Sequence, residues 1–466
     1  MQVRKRPPWR LAGANRYICR VRHVKCDELK PACRRCSSTG RICDGYFNPA
    51  SVACEIRPGP VRSKKESRYF DLFRHRTILG LMGFDNGSTF WSYMVLQFSQ
   101  SSPAVLHAAL ALGALHEHLG GDPNAIGHTK SYRLCLMQYN KSIGYLRSRR
   151  SRQPIQLTLT CCILYICLEN AQGNHGTALE HLQNGLKILQ DWKMDTNTSA
   201  SEDLVVKNLT NVFRRLDMQA TVFLDSRQPE LNATSIVQSP KTDHTVPICF
   251  SSMRDAQISL EEIELRLFYV LTTKSSQHHS CQSHDEMLSI RAPLLRGLSG
   301  RFKEWKETFD SFSIGESERM QTKDLRLGVL LALHYETTSL MLDTKTKPAP
   351  DMEDILTWES QITRINDLSR SLIRSSSSDS RFEFSADTGV IAPLYYAAMR
   401  ATSSPVRQQA IEILRSVKCK EGFWDAETAA RIAENVSQVK RAGTPGLPVT
   451  GSIPVLAKAH CVVTCF

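Results

Sequence analysis

The sequence predicts a mainly α protein: a small N-terminal module held together by its cysteines, followed by a large all-α domain. Three observations carry that expectation. Five cysteines crowd into residues 19–43. Apolar residues recur at helical spacing from about residue 67 to about residue 440, with little strand-like alternation. The excess positive charge lies at the cysteine end.

With 466 residues, 41% of them apolar, the chain has room for one large domain or two ordinary ones plus linkers, and for a substantial core. Residues 1–76 carry 19 Lys and Arg against 6 Asp and Glu; taken from chain totals of 59 and 46, that leaves 40 of each sign for residues 77–466. A basic patch this local is the footprint of a polyanion partner, because neutralising phosphates releases condensed counterions. A solvated basic tail would carry the same charge, but the cysteines decide against it. No apolar run reaches the length of a membrane span; Val105–Leu115 and Thr160–Leu168 fit buried helices, so no membrane partner is expected. No secretory signal is read either, which points to a reducing compartment. The nine cysteines beyond Cys54, among them Cys161, Cys162 and Cys167 in one apolar segment, are therefore expected as free thiols.

The cysteines stand at Cys19-x6-Cys26-x6-Cys33-x2-Cys36-x6-Cys43, among basic residues and without apolar runs. Thiolates so close and so regular can be joined by disulfides or gathered by a soft metal, and a reducing compartment favours the metal. Zinc is the expected ion, since it takes cysteine sulfur in a closed tetrahedral shell at about 2.3 Å. A short basic segment with no apolar core needs such a staple to fold.

Read with its flanks, YICRVRHVKCDELKPACRRCSSTGRICDGY (17–46) resembles the fungal binuclear zinc cluster, in which six cysteines hold two zinc ions in a small DNA-binding module. The family pattern, C-x2-C-x6-C-x6-C-x2-C-x6-C, asks for a cysteine three residues before Cys19, where this chain has Arg16. Two tetrahedral ions need eight metal–sulfur bonds, which six thiolates supply only if two of them bridge. The resemblance makes the missing cysteine and Cys33 the bridging pair, so Arg16 removes a ligand from each zinc. Arginine has no lone pair to offer and stays charged. Three readings stay open: an N-terminus joined to the wrong upstream segment, a cluster that binds metal poorly, and a cluster completed by another ligand such as Cys54 or water. The resemblance also implies double-stranded DNA as partner. It places Arg22 and His23 at base edges in the major groove and Arg20 and Lys25 at phosphates, with CGG-type triplets as the sequence read.

In chain order, residues 1–16 are expected as a basic disordered arm, in which Arg4, Lys5 and Arg6 could serve nuclear import. Residues 17–46 form the cluster, with Lys30 and Pro31 at the turn between its halves. Residues 47–66 read as a linker, broken by Pro49, Pro58 and Pro60 and ending in a second basic run at Lys65. No coiled-coil heptad survives those prolines. Binding as a monomer to one triplet, or as a homodimer through the larger domain, both stay open.

Residues 67–440 are expected to be helical. Ser101 or Ser102 can cap a helix in which Pro103 suits the first turn and Val105, Leu106, Ala109, Leu110 and Leu112 give a wide apolar surface, so that helix is expected to be buried. Tyr132, Leu136, Tyr139, Ile143 and Leu146 recur at helical spacing, as do Leu179, Leu182, Leu186 and Leu189, and both stripes read as packing faces. Residues 228–250 and 374–381 read as exposed loops, and 441–466 as a flexible tail. The stretches FWSYMVLQFSQSSPAVLHAALALGALHEH, QYNKSIGYLR, CCILYICLENAQGNHGTALEHLQNGLKIL and PLYYAAMRATSSPVRQQAIEILRSVKCKEGFWDAETAARIAENV resemble, in order, the helical regulatory domain that follows the zinc cluster in many fungal transcription factors. The resemblance implies a nuclear regulator working with the transcription machinery and, in some members, sensing an effector.

No arrangement of catalytic groups emerges, and an enzyme is not expected. His116 and Glu117 do not continue into HExxH, and the phosphate-cradling and nucleophile-elbow patterns are missing. His278, His279, Cys281 and His284 form a second Cys/His-rich patch, more economically read as an ordinary loop.

Overall fold

The computed structural model describes residues 63–83, 88–121, 126–148, 154–195, 200–223, 246–272, 284–316, 322–347, 350–374 and 383–441, with a few single residues outside these ranges. They form a mainly helical domain, as the periodicity predicts. The arm, the cluster's cysteines with its base- and phosphate-facing residues, most of the linker, the serine-rich run after Arg374, His278, His279 and Cys281 of the Cys/His-rich patch and the tail after Arg441 lie outside the described residues.

Helix α1 (Lys64–Leu72) starts at a reciprocal cap: the Glu66 amide donates to the Ser63 hydroxyl at 3.2 Å and the Ser63 amide to the Glu66 carboxylate at 3.0 Å. A π-helical turn (Phe73–Thr77) carries it into α2 (Ile78–Met82), and a second π turn (Phe90–Met94) leads into α3 (Val95–Ser101). Ser102 leaves helical geometry and caps α4 (Pro103–Gly120), with Pro103 in the first turn as expected.

Helix α4 is buried along most of its length because its side chains are small or apolar all round. It packs most extensively on α5 (Ile126–Arg147) and also on α6 (Ile155–Gln172). Gly113 makes the approach of α1 feasible, since a β-carbon there would stand 2.5 Å from the Tyr69 carbonyl oxygen. The α5 stripe expected from the sequence is rotated relative to the face that is buried. Tyr132 and Leu136 are exposed, Tyr139, Ile143 and Leu146 are only partly covered, and Ser131, Leu134, Cys135, Gln138 and Ser142 face the core. The reason is distance. The alanine-rich α4 lets α5 approach closely, so that the buried positions of α5 include its small side chains Ser131, Cys135 and Ser142 beside Leu134 and Gln138. Ser142 donates to the Ala104 carbonyl at 2.6 Å and accepts from the Tyr165 hydroxyl at 2.6 Å.

Helices α7 (His175–Asp195) and α8 (Ala200–Phe223) follow, and Leu182, Leu186 and Leu189 are fully buried as their stripe predicts. The second half contains α9 (Met253–Thr272), α10 (His284–Glu316), α11 (Thr322–Thr346) and α12 (Met352–Arg374). Trp305 anchors α10 to α9 by donating to the Ala256 carbonyl at 3.0 Å. A three-stranded sheet departs from the all-α expectation for this domain. β1 (Glu383–Ser385) pairs in parallel with β2 (Cys419–Glu421), which pairs antiparallel with β3 (Trp424–Asp425). Helices α13 (Ile391–Arg400) and α14 (Ser404–Ser416) lie between the first two strands in sequence, and α15 (Ala426–Arg441) closes the described chain. Gly422 turns from β2 to β3 at φ 54°, with the Gln219 side chain filling the space a β-carbon would need. The Glu421 carboxylate accepts from the amides of Gly389, Val390 and Ile391 at 2.9–3.0 Å and so fixes the start of α13. A single apolar core runs through both halves. No helix among the described residues is long and apolar enough to cross a membrane.

Candidate functional site

Two places bear on function, and one of them lies outside the described residues. Cys19, Cys26, Cys33, Cys36 and Cys43, with Arg20, Arg22, His23 and Lys25, belong to the N-terminal segment for which no geometry is described. Among the described residues, no group of three or more His, Cys, Asp or Glu is placed to hold a metal. The described cysteines are free thiols. Cys135, Cys161, Cys162 and Cys167 are buried, and burial pushes Cys135 and Cys162 up to about 12, so they behave as small apolar side chains. Glu117, beside the two histidines that looked like a broken metalloprotease motif, has a structural role. Burial raises its pKa, but hydrogen bonds from Ser131 (2.6 Å), Tyr69 (2.7 Å) and Arg68 outweigh burial and hold it below the usual carboxylate range. It ties α1 and α5 to α4.

The second place is a partly open cavity of about 100 Å³ lined by α8, α9, α11, Asp387, Thr388 and the first turn of α13. A water needs roughly 10–15 Å³ in this measure, so the space suits several waters or one small organic molecule. Its wall is mostly apolar, with Met218, Val222, Leu260, Phe268, Leu331 and Met341 in contact with the space. Polar groups enter from each side. Arg215 on α8 lies 3.1 Å from the Glu261 carboxylate of α9 and 3.3 Å from Asp387. Glu264, one turn beyond Leu260, is 6% exposed; burial pushes it up to about 8, the neighbouring Glu261 adds to the rise, and a hydrogen bond with Thr338 opposes it. Near neutral pH it is mainly the uncharged acid. The Thr338 hydroxyl also donates to the His334 carbonyl at 2.7 Å. His334 has its Nε2 3.2 Å from the Gly389 carbonyl, which can only accept, so Nε2 carries the proton. Burial keeps His334 below the ordinary histidine range and hence neutral, although the Gly389 bond and Glu261 pull the other way.

None of these cavity residues is picked out by sequence reasoning. The signal that could have found them is polar residues on apolar helical stripes: Glu264 follows Leu260 and precedes Phe268, and His334 stands between Leu330 and Met341.

The model of the fungal specific transcription factor domain matches residues 68–436, most of the chain. The chain belongs to this family. The fungal Zn(2)-Cys(6) binuclear cluster domain matches residues 17–51, so one chain carries both the cluster match and the helical domain match. Transcription regulator lscL of Purpureocillium lilacinum is 30% identical over 231 residues, which cover 42% of this chain and 52% of that protein. The aspercryptin biosynthesis cluster-specific transcription regulator atnN of Emericella nidulans is 27% identical over 267 residues, 49% of this chain and 43% of its own. Transcriptional regulatory protein moc3 of Schizosaccharomyces pombe is 44% identical over 46 residues, 10% of this chain and 9% of that one. The chain thus spans about half the length, or less, of the curated relatives it matches. No solved structure matches it. The families and relatives are those of transcription regulators, and the cluster family is one that binds zinc.

Proposed function

We propose that the protein is a nuclear, zinc-dependent, sequence-specific DNA-binding regulator of RNA polymerase II transcription, with residues 17–46 as its address and residues 67–440 as its regulatory body. The observation that carries this reading is the cysteine spacing from Cys19 to Cys43, which retains five of six ligand positions and lies in the segment holding all the chain's excess positive charge. Cys19, Cys26, Cys33, Cys36 and Cys43 would hold the metal, and zinc would supply the fold of the module. The donor type fits, but the donor number is one short at Arg16. Arg22 and His23 read a CGG-type triplet, with His23 donating through a single nitrogen, while Arg20 and Lys25 hold phosphates and make affinity salt-dependent. The protein binds double-stranded DNA as a monomer or as a homodimer formed through the helical domain, and hands regulation to the transcription machinery.

Arg16 favours one second reading: a helical interaction protein that has lost DNA binding. Zinc per chain, measured on the full-length protein and on Arg16→Cys, separates the two. Two ions in both proteins, with Arg22→Ala losing about tenfold or more in affinity for a CGG duplex, is the result expected of a DNA-binding regulator. Zinc in the repaired protein alone, with no retention of the natural sequence on DNA, would establish the second reading instead.

A further inference from the structure

The wall of the cavity between α8, α9 and α11 is chemically lopsided. One guanidinium, Arg215, meets two carboxylates, Glu261 at 3.1 Å and Asp387 at 3.3 Å, so the wall carries one formal negative charge in excess. A third carboxyl, Glu264, lines the same space with its side chain buried. Among the described residues that line the cavity, Arg215 is the one Lys or Arg. His334 spends its proton on Gly389, and the Thr337 and Thr338 hydroxyls donate to the carbonyls of Leu333 and His334 at 2.8 and 2.7 Å. The remaining surface is apolar, and two of its members, Met218 and Met341, are flexible enough to mould around a guest.

We propose that this cavity is a binding site for a small, largely apolar molecule bearing one basic nitrogen, whose ammonium group pairs with Glu264 beside Glu261 and Asp387. Size selects a body of about one ring, and the surplus of carboxylates selects a cation over a neutral or anionic guest. An acid left alone in an apolar wall stays protonated because its charge has no partner, and a guest that brings the partner reverses the balance. If the amine enters protonated, Glu264 loses its proton to solvent; if it enters neutral, the proton passes from Glu264 to the nitrogen. Both routes end in the same ion pair. The groups facing Glu264 are Glu261 on its own helix, His334 and Thr338 on α11, Arg215 on α8 and Asp387 before α13. Among these, Glu264 is the acid held neutral near pH 7 and able to release a proton there. The site goes beyond DNA recognition and would give the regulatory domain something to sense.

Calorimetric titration of the full-length protein at pH 7 with benzylamine, benzyl alcohol and benzoate tests this, run in two buffers of different ionisation enthalpy so that proton release is counted. The expected result is saturable binding of benzylamine at least about tenfold tighter than benzyl alcohol, no binding of benzoate, and release of about one proton per amine bound. Glu264→Gln should abolish both the proton release and the preference for the amine. Equal binding of amine and alcohol, tighter binding of benzoate, no saturable binding of any probe, amine binding without proton release, or an amine preference that survives Glu264→Gln would each overturn the proposal. Should Glu264→Gln fail to fold, the proton count on the natural sequence decides alone. No DNA is present in the cell, so loss of DNA binding through Arg16 leaves the outcome readable.

Discussion

Helices α4 and α5 make the most extensive helix–helix contact among the described residues, whereas α9 and α11 flank a cavity. In the first seam α5 turns Ser131, Leu134, Cys135, Gln138 and Ser142 to the core, and Ser142 donates to the Ala104 carbonyl of α4 while accepting from Tyr165 of α6. In the second, Leu, Phe and Met side chains keep the backbones apart, and an uncharged acid and an uncharged imidazole project into what remains. A seam filled to crystal-like density stabilises the fold. A seam that tolerates a void and a protonated carboxyl gives up stability for some other end, which is the usual mark of a site.

The largest effect expected from perturbing this contrast is at Glu264. Its folded pKa of about 8 lies above the ordinary glutamate value, so the folded state binds the proton more tightly than the unfolded chain. Its contribution is therefore fully favourable below about pH 4.5 and is lost progressively as pH rises through about 8. Gln keeps the shape without the charge. Glu264→Gln should match the natural protein in thermal stability near pH 4.5 and exceed it at pH 8, by on the order of 4 kcal/mol. Melting curves across that range test it, and curves that stay parallel at every pH would show that Glu264 is ionised in the fold and that the cavity wall is more polar than its lining implies.

A smaller effect in the opposite direction is expected where the packing is tight. In a free helix, Gly→Ala is worth about 1 kcal/mol in favour of alanine. At Gly113 the new β-carbon would stand 2.5 Å from the Tyr69 carbonyl oxygen and 3.3 Å from the Phe73 β-carbon. Gly113→Ala should therefore destabilise the domain by about 2–3 kcal/mol in urea titration. Gly144→Ala on α5, where a β-carbon meets nothing within 4 Å, should instead gain up to about 1 kcal/mol. Equal shifts at the two positions would mean that α1 does not lie as close to α4 as described.

The same two seams divide what the sequence made legible from what it did not. Ser102, Pro103 and the apolar run after them foretell α4, because capping and periodicity are local properties written in adjacent residues. The rotation of α5 is not local. The bulky stripe at Tyr132 and Leu136 reads as the inner face until the small residues of α4 are known to be its partner. The sheet escapes for a different reason, since strands of two or three residues are too short to alternate visibly, and β1 and β2 are joined across two helices. The cavity gathers residues from Arg215 to Pro393, and its local traces are polar side chains on apolar stripes at Glu264 and His334. The cysteine spacing is the reverse case, a chemical signature so dense that it points to zinc without any fold.

The smallest effect separates packing from binding most cleanly. Val222 lines the cavity from the end of α8, and Val222→Leu adds one methylene to its wall while leaving Arg215, Glu261 and Glu264 unsubstituted. If the void is a packing defect, filling it gains stability, about 0.5–1 kcal/mol, and changes nothing else. If the void is a binding site, the same methylene should raise the melting temperature and weaken benzylamine binding together, because guest and side chain compete for one volume. The pairing of the two readouts carries the argument. A stability gain with undiminished amine binding would place the guest elsewhere, while a loss of stability would mean that the space is already occupied by ordered water bridging the polar groups of the wall.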